Sequence, residues 1–310
     1  MSSSSIAPTY HHSEHAATYQ SKASFVYSAA NTSAVLQLLD ARPGQRVLDI
    51  GCGSGELTRI IAQQVGEGNG AGKVVGVDAS EDMLRSARLA GSGNIEYHLV
   101  DCCGLPSWLR TQPGLFHSFD SVFSNAALHW MKASPIAVVC GAHQALKPGG
   151  SFVGECGGFL NMIGVRGALH AMLRRYAPEK DPKEVDPWYF PTPEAYRKLL
   201  SSPGEDGEPM FEVESCELVP RPTPLSAGLR GWLETFGGTF LNAMPSDQVR
   251  ARAMEELEEM LRPDMYDEES GTWTAMLALV PRCPATLQGY QVSSLRRLVL
   301  RRSTSYTSNP

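Results

Sequence analysis

The stretch Val47–Thr58, VLDIGCGSGELT, decides the fold. A hydrophobic run ends in an acid, Asp49. Glycines follow at 51, 53 and 55, and a helical pattern opens near Glu56. Glycine takes backbone conformations closed to other residues and lets a ligand lie against the main chain. A dinucleotide fingerprint would space its glycines G-x-G-x-x-G, so that amides at the helix N-terminus receive a pyrophosphate. Here the third glycine comes one residue early, and Glu56 stands where that fingerprint wants glycine. A carboxylate there would repel a pyrophosphate, so the spacing suits a ligand without phosphates.

Working outward, strand and helix patterns alternate. NTSAVLQLL reads as a helix leading into the buried strand QRVLDI. ELTRIIAQQV sets Leu57, Ile60, Ile61 and Val65 on one helical face. GEGNGAGK is a surface turn, VVGVD a second strand, and SEDMLRSARLA a helix capped by Ser80 with Glu81 and Asp82 in its first turn. IEYHLV and FDSVFSN are the third and fourth strands, SPIAVVCGAHQAL a helix stopped by KPGG, and SFVGEC the fifth strand. Such alternation with short links predicts an α/β fold, a doubly wound, Rossmann-like, mostly parallel sheet whose ligand lies beyond the carboxyl ends of the strands. The expected organisation is an N-terminal arm over residues 1–30, the cofactor-binding core over 31–158, and a helical cap with sheet completion over 159–310. In that last part NMIGVRGALHAMLRRYA, TPEAYRKLL, LRGWLETFGGTFL and SDQVRARAMEELEEMLR read as helices, the last with Val249, Ala253, Leu257 and Met260 on one face, and FEVESCELVPR as a strand. QVSSLRRLVLRRSTSYTSNP matches no element.

Asp78 ends the second strand, at the distance where an acid meets a ribose diol. Asp101 is expected to end the third strand, placed for the exocyclic amine of an adenine. With the glycines and Asp49 these acids describe a ligand with adenine and ribose, no phosphate, and a polar or cationic end. S-adenosylmethionine fits that description. Cys52 between the glycines, Ala79 and Met83 beyond Asp78, and Cys102 beside Asp101 complete the cofactor-binding set on these elements.

VLDIGCGSGELT, VVGVDASEDML, FDSVFSNAALHW and LKPGG together resemble the successive motifs of class I S-adenosylmethionine-dependent methyltransferases, over about 46–158. The resemblance implies that the glycine loop holds the methionine moiety, that Asp78 binds the ribose hydroxyls, and that Asp101 and Cys102 bind adenine. FSNAALHWM is further similar to the trans-aconitate and juvenile hormone acid methyltransferases, which esterify carboxylates. PWYFPTPEAY, PRPTPL and GWLETF resemble a microbial branch near the trans-aconitate enzymes, whereas the chain departs from that branch after about 275. The likeness places Asn125 and Ala126 beside the methionine end. It sets His129 and Trp130 toward the acceptor, His129 as a base for a hydroxyl or a hydrogen-bond donor to a carboxylate. By the same likeness Tyr19, Gln20, Ser24 and Phe25 of the arm fold over the cofactor. Trp188 and Tyr189 are candidates for closing the acceptor side, and Arg221 for meeting an acidic substrate, each against a plain packing or surface role.

The 310 residues, 42% hydrophobic and 19% charged, suffice for one large core. A net charge of −6 argues against a nucleic-acid partner, although five arginines and no other charged side chain follow Gly271. No apolar run reaches the length of a membrane helix, and the first twenty residues carry no secretory pattern, so a cytoplasmic protein acting on a small molecule is expected, with no membrane partner. The seven cysteines form no Cys-x-x-Cys, and no metal site is expected; His11, His12 and His15 read as a solvated tail. Cys102–Cys103 suggests thiophilic chemistry less well than it suggests Cys102 packed on adenine and Cys103 turned into the core. The leading expectation is O-methylation of a carboxylate or hydroxyl of an acidic metabolite. The rivals are an NAD(P)-dependent oxidoreductase on a similar sheet and a non-catalytic, cofactor-binding regulatory subunit.

Overall fold

The computed structural model describes residues 29–68, 71–91, 93–280 and 298–302. They divide into two compact units. One contains 29–159 together with 189–219 and the described residues from 279 onward, and the other contains 160–188 and 220–278.

The strands are β1 (Arg46–Ile50), β2 (Lys73–Asp78), β3 (Ile95–Leu99), β4 (Phe119–Asn125), β5 (Leu146–Gly157), β6 (Phe211–Val213), β7 (Val219–Pro224), β8 (Tyr266–Asp267), β9 (Thr272–Val280) and β10 (Leu298–Arg302). The first unit is built on a sheet of order β3-β2-β1-β4-β5-β10-β6, in which β1 to β5 are parallel neighbours. Strand β1 shows why. Its side chains alternate between the two faces, Leu48 and Ile50 entering one apolar cluster and Val47 the other. A strand buried on both faces needs helices on both, which is the arrangement of parallel sheets. Ala29–Leu39 and Glu56–Gly66 cover the Val47 face through Val35, Leu39, Leu57, Ile61 and Val65. Leu105–Arg110, Pro135–Ala145 and Pro193–Leu200 cover the other.

β1 lies at the centre, between β2 and β4. The neighbours of β1 therefore run in opposite directions through the sheet order, and the turn after it opens at the switch point where such sheets hold ligands.

β6 (Phe211–Val213) and β10 (Leu298–Arg302) finish this sheet. β10 is antiparallel to both β5 and β6, with Val299 opposite Val153 and Arg301 opposite Glu212. The closing segment of the chain therefore supplies a strand, where the sequence pattern had suggested no element. FEVESCELVPR is also divided: β6 ends at Val213, and β7 (Val219–Pro224) belongs, apart from its first residue, to the second unit.

The second unit packs the helices Val165–Tyr176, Gly228–Phe236, Gly238–Asn242 and Asp247–Met265 with a small antiparallel ribbon. In the ribbon, Tyr266–Asp267 pairs with Thr272–Trp273. Two expected core positions lie on the outside. Ile60 is 38% and Met260 48% exposed, because the buried stripes run one residue further round, through Ile61, Ala62 and Val65 and through Met254, Leu257 and Leu261.

Candidate active site

Three glycines follow β1 with positive φ: 72° at Gly51, 55° at Gly53 and 79° at Gly55. At Gly51 the need for glycine is also steric, since a Cβ would stand 2.2 Å from the Ala127 Cβ. The loop is tied to β2. Gly51 and Cys52 donate their N–H to the Val77 carbonyl at 2.8 and 3.1 Å, and Gly53 donates to Asp78 Oδ2 at 2.9 Å. Asp78 Oδ1 accepts from Ser80 N at 2.9 Å. Ser80 in turn caps the next helix, its Oγ accepting from Met83 N. One carboxylate at the strand end thus orders both turns, and Ala79 and Met83 follow it half-buried.

Asp49 lies within the sheet, 2% exposed, with Thr58 Oγ1 donating to it at 2.6 Å. It has no ion-pair partner among the described residues. Burial raises its pKa to about 7, the Thr58 hydrogen bond opposes that shift, and the Asp78 charge adds to it. In the parallel register Asp49 stands opposite Phe123, and Asn125 lies two residues further on the same face. Asn125 Oδ1 is buried with no hydrogen-bond partner, and Ala126 follows at φ 54°, its N–H held by the Glu155 carbonyl at 2.7 Å. A buried carboxylate without a counter-ion and an idle buried acceptor, both at the carboxyl ends of the central strands, fit a ligand that brings positive charge and N–H donors.

His129 lies in a short 3₁₀ turn, Leu128–Trp130. Gly157 N donates to His129 Nδ1 at 3.1 Å, and Tyr189 N donates to the His129 carbonyl at 2.8 Å. Burial pushes the imidazole pKa down to about 3. The ring sits 5.1 Å from that of Trp130 and 5.7 Å from that of Phe190. Phe190 is not among the expected site residues, and its one signal in the sequence is its place in the aromatic run WYF between two prolines.

Asp101 is displaced from its expected position. β3 ends at Leu99, and Asp101 is an exposed cap whose Oδ1 accepts from Cys103 N at 2.9 Å. The cysteine pair is also reversed. Cys102 is the core residue, 3% exposed, and Cys103 is half-buried. Burial raises both thiols, which leaves them poor nucleophiles. Cys52 is buried beside the loop and its thiol is raised in the same way. Trp188, 3% exposed, packs with Trp232 and Phe240 inside the second unit, as a core side chain. Tyr189 packs against the core of the first unit, and Arg221 lies half-buried in β7. Tyr19 and the rest of the arm lie outside the described residues, as do His11, His12 and His15. Among the described residues no His, Cys, Asp or Glu group is arranged to hold a metal.

Residues 47–150 match the family described as a methyltransferase domain. An uncharacterized methyltransferase of Schizosaccharomyces pombe is 35% identical over 234 residues, covering 73% of this chain and 81% of that protein. A trans-aconitate 2-methyltransferase of Deinococcus radiodurans is 33% identical over 113 residues, only 36% of this chain and 38% of that one. A solved chain from Bacillus halodurans, provisionally assigned as a methyltransferase, shares the fold with a TM-score of 0.53 at 15% identity. The alignment covers 88% of this chain and 98% of that one.

Proposed function

Because this chain belongs to the class I S-adenosylmethionine-dependent methyltransferases, we propose that it methylates a carboxylate oxygen of a small acidic metabolite. The cofactor is S-adenosylmethionine, and when bound it supplies an electrophilic methyl group on a sulfonium. The nicotinamide reading is not favoured. The residues proposed to hold the cofactor are the loop Gly51, Cys52, Gly53 and Gly55, with Asp49 and Asn125 at its polar end, Asp78 with Ala79 and Met83 at the ribose, and Asp101 at the adenine. Tyr19 remains a candidate from the arm.

The observation that carries the acceptor class is the Gly157 N–H directed at His129 Nδ1. That bond requires a lone pair on Nδ1, so the ring proton sits on Nε2. Moving the proton to Nδ1 would set two donors against each other. Charging the ring is equally disfavoured, with the pKa at about 3. His129 therefore offers a hydrogen bond and does not accept a proton. An acceptor that meets such a group must arrive already ionised. A carboxylate does so at neutral pH, whereas a hydroxyl or an ammonium needs a base. Trp130 and Phe190, flanking the imidazole, supply the apolar wall that keeps water from the transfer.

The test is methyl transfer from labelled S-adenosylmethionine to a panel of organic acids, phenols, amines and RNA. Label is expected on acids, as an ester released by mild base. Turnover confined to amines or to RNA would end the proposal. Binding of cofactor with no turnover until a second polypeptide is added would favour the regulatory reading instead.

A further inference from the structure

We propose that Tyr97 is a positioning residue for the cofactor loop, its ring setting the height at which Gly53–Gly55 stand over the second strand. Tyr97 lies in the middle of β3, in register with Gly76 of β2. Its ring lies across that glycine: a Cβ at Gly76 would come within 2.8 Å of ring Cδ1 and 2.9 Å of Cε1. The ring then reaches the loop, where a Cβ at Gly55 would come within 2.4 Å of the tyrosine oxygen. Ala87 borders the same space at Gly55 and Cys52 Sγ the same space at Gly76. Tyr97 thus fills the space above Gly76 with its ring and the space beside Gly55, a residue already left-handed, with its oxygen.

Gly55 is the N-cap of Glu56–Gly66, in the left-handed conformation and without a side-chain cap. The junction of loop and helix is held by backbone hydrogen bonds and by what packs against it. On the β2 side the hydrogen bonds come from Val77 and Asp78. On the β3 side the packing comes from Tyr97. Its hydroxyl is buried near Thr58 but makes no hydrogen bond of good geometry, so Tyr97 acts on the loop by packing and not by hydrogen bonding. Displacement of a ligand-bearing loop by a fraction of an ångström is enough to weaken binding.

The inference rests on the cofactor assignment above, and the test separates the two. S-adenosylhomocysteine is titrated calorimetrically into wild type, Tyr97→Phe, Tyr97→Ala, Gly76→Ala and the double variant Gly76→Ala/Tyr97→Ala, with the unfolding temperature of each measured without ligand. Tyr97→Phe is expected to bind within about twofold of wild type, and Tyr97→Ala about tenfold more weakly at a temperature where it is fully folded. Gly76→Ala is expected to cost about tenfold in the wild-type background and under about threefold once the ring is gone, since the ring clash is then removed and only the 3.0 Å approach to Cys52 Sγ remains. A merely structural tyrosine would lower the unfolding temperature and leave the affinity unchanged. Tyr97→Ala binding within about twofold of wild type, or a Gly76→Ala effect equal in both backgrounds, overturns the proposal. Should Tyr97→Ala fail to fold, Tyr97→Leu carries the same expectation in both arms. Absence of heat with wild type would overturn the cofactor assignment and this proposal with it, whereas heat with wild type and no loss in Tyr97→Ala overturns this proposal alone.

Discussion

At the scale of single residues the molecule separates two titratable groups that look alike in the sequence as buried and polar. His129 is held neutral with one tautomer, and its proposed role is to donate. His129→Ala is expected to lower kcat/KM by about 10–100-fold, the cost of one hydrogen bond to a charged acceptor. His129→Gln, whose amide both accepts from Gly157 and donates outward, should retain most of the rate. Between pH 5.5 and 8.5 any inflection in the wild-type profile should persist in His129→Gln, since the group that titrates there is Asp49, near 7. An inflection that disappears in His129→Gln, with that variant as slow as His129→Ala, would mark a base. Asp49 behaves in the opposite sense. Its folded pKa, about 7, lies above the ordinary carboxylate value, so the folded state holds a proton that the unfolded chain has already released. Stability is therefore lost as pH rises from about 4 through 7. Relative to Asp49→Asn, wild type should lose on the order of 2 kcal/mol between pH 5 and 7.5, read by chemical denaturation. Parallel pH curves for the two proteins would contradict the assignment.

At the scale of elements, β1 to β5 and most of their helices are legible in the sequence, since most of the strands are apolar runs beside an acid, an amide or glycine, whereas the helix Leu105–Arg110 is not among the expected elements. The glycine spacing after β1 also locates the switch point. What could not be read there depends on contacts distant in the chain. β10 has only Leu-Val-Leu between pairs of arginines, too short for a period, and it is a strand because β5 and β6 offer edges on either side of it. Phe190 and Tyr97 owe their importance to a histidine about sixty residues away and to two glycines, and no local pattern records that. Asp101 lies two residues beyond the end of β3, because Val100–Asp101 looks in sequence like the Val77–Asp78 ending of β2 while the ladder stops at Leu99. If β10 closes the sheet, a chain ending at residue 297 leaves the edges of β5 and β6 unpaired. It should unfold several degrees below the full chain and aggregate on size exclusion. An unchanged unfolding temperature would show that the sheet ends at β5.

At the scale of the whole molecule, the chain carries a net charge of −6, and no helix among the described residues is long and apolar enough to cross a membrane. The parallel sheet places Asp49, Asp78 and Asn125 at the same ends of three adjacent strands. The account rests on S-adenosylmethionine occupying that row of strand ends. The most direct test is calorimetric titration of S-adenosylhomocysteine into wild type and Asp78→Ala. One binding site per chain is predicted for wild type, weakened at least about tenfold in the variant by loss of a charged hydrogen-bonding group. No heat with wild type, or equal affinity in the two proteins, would contradict it.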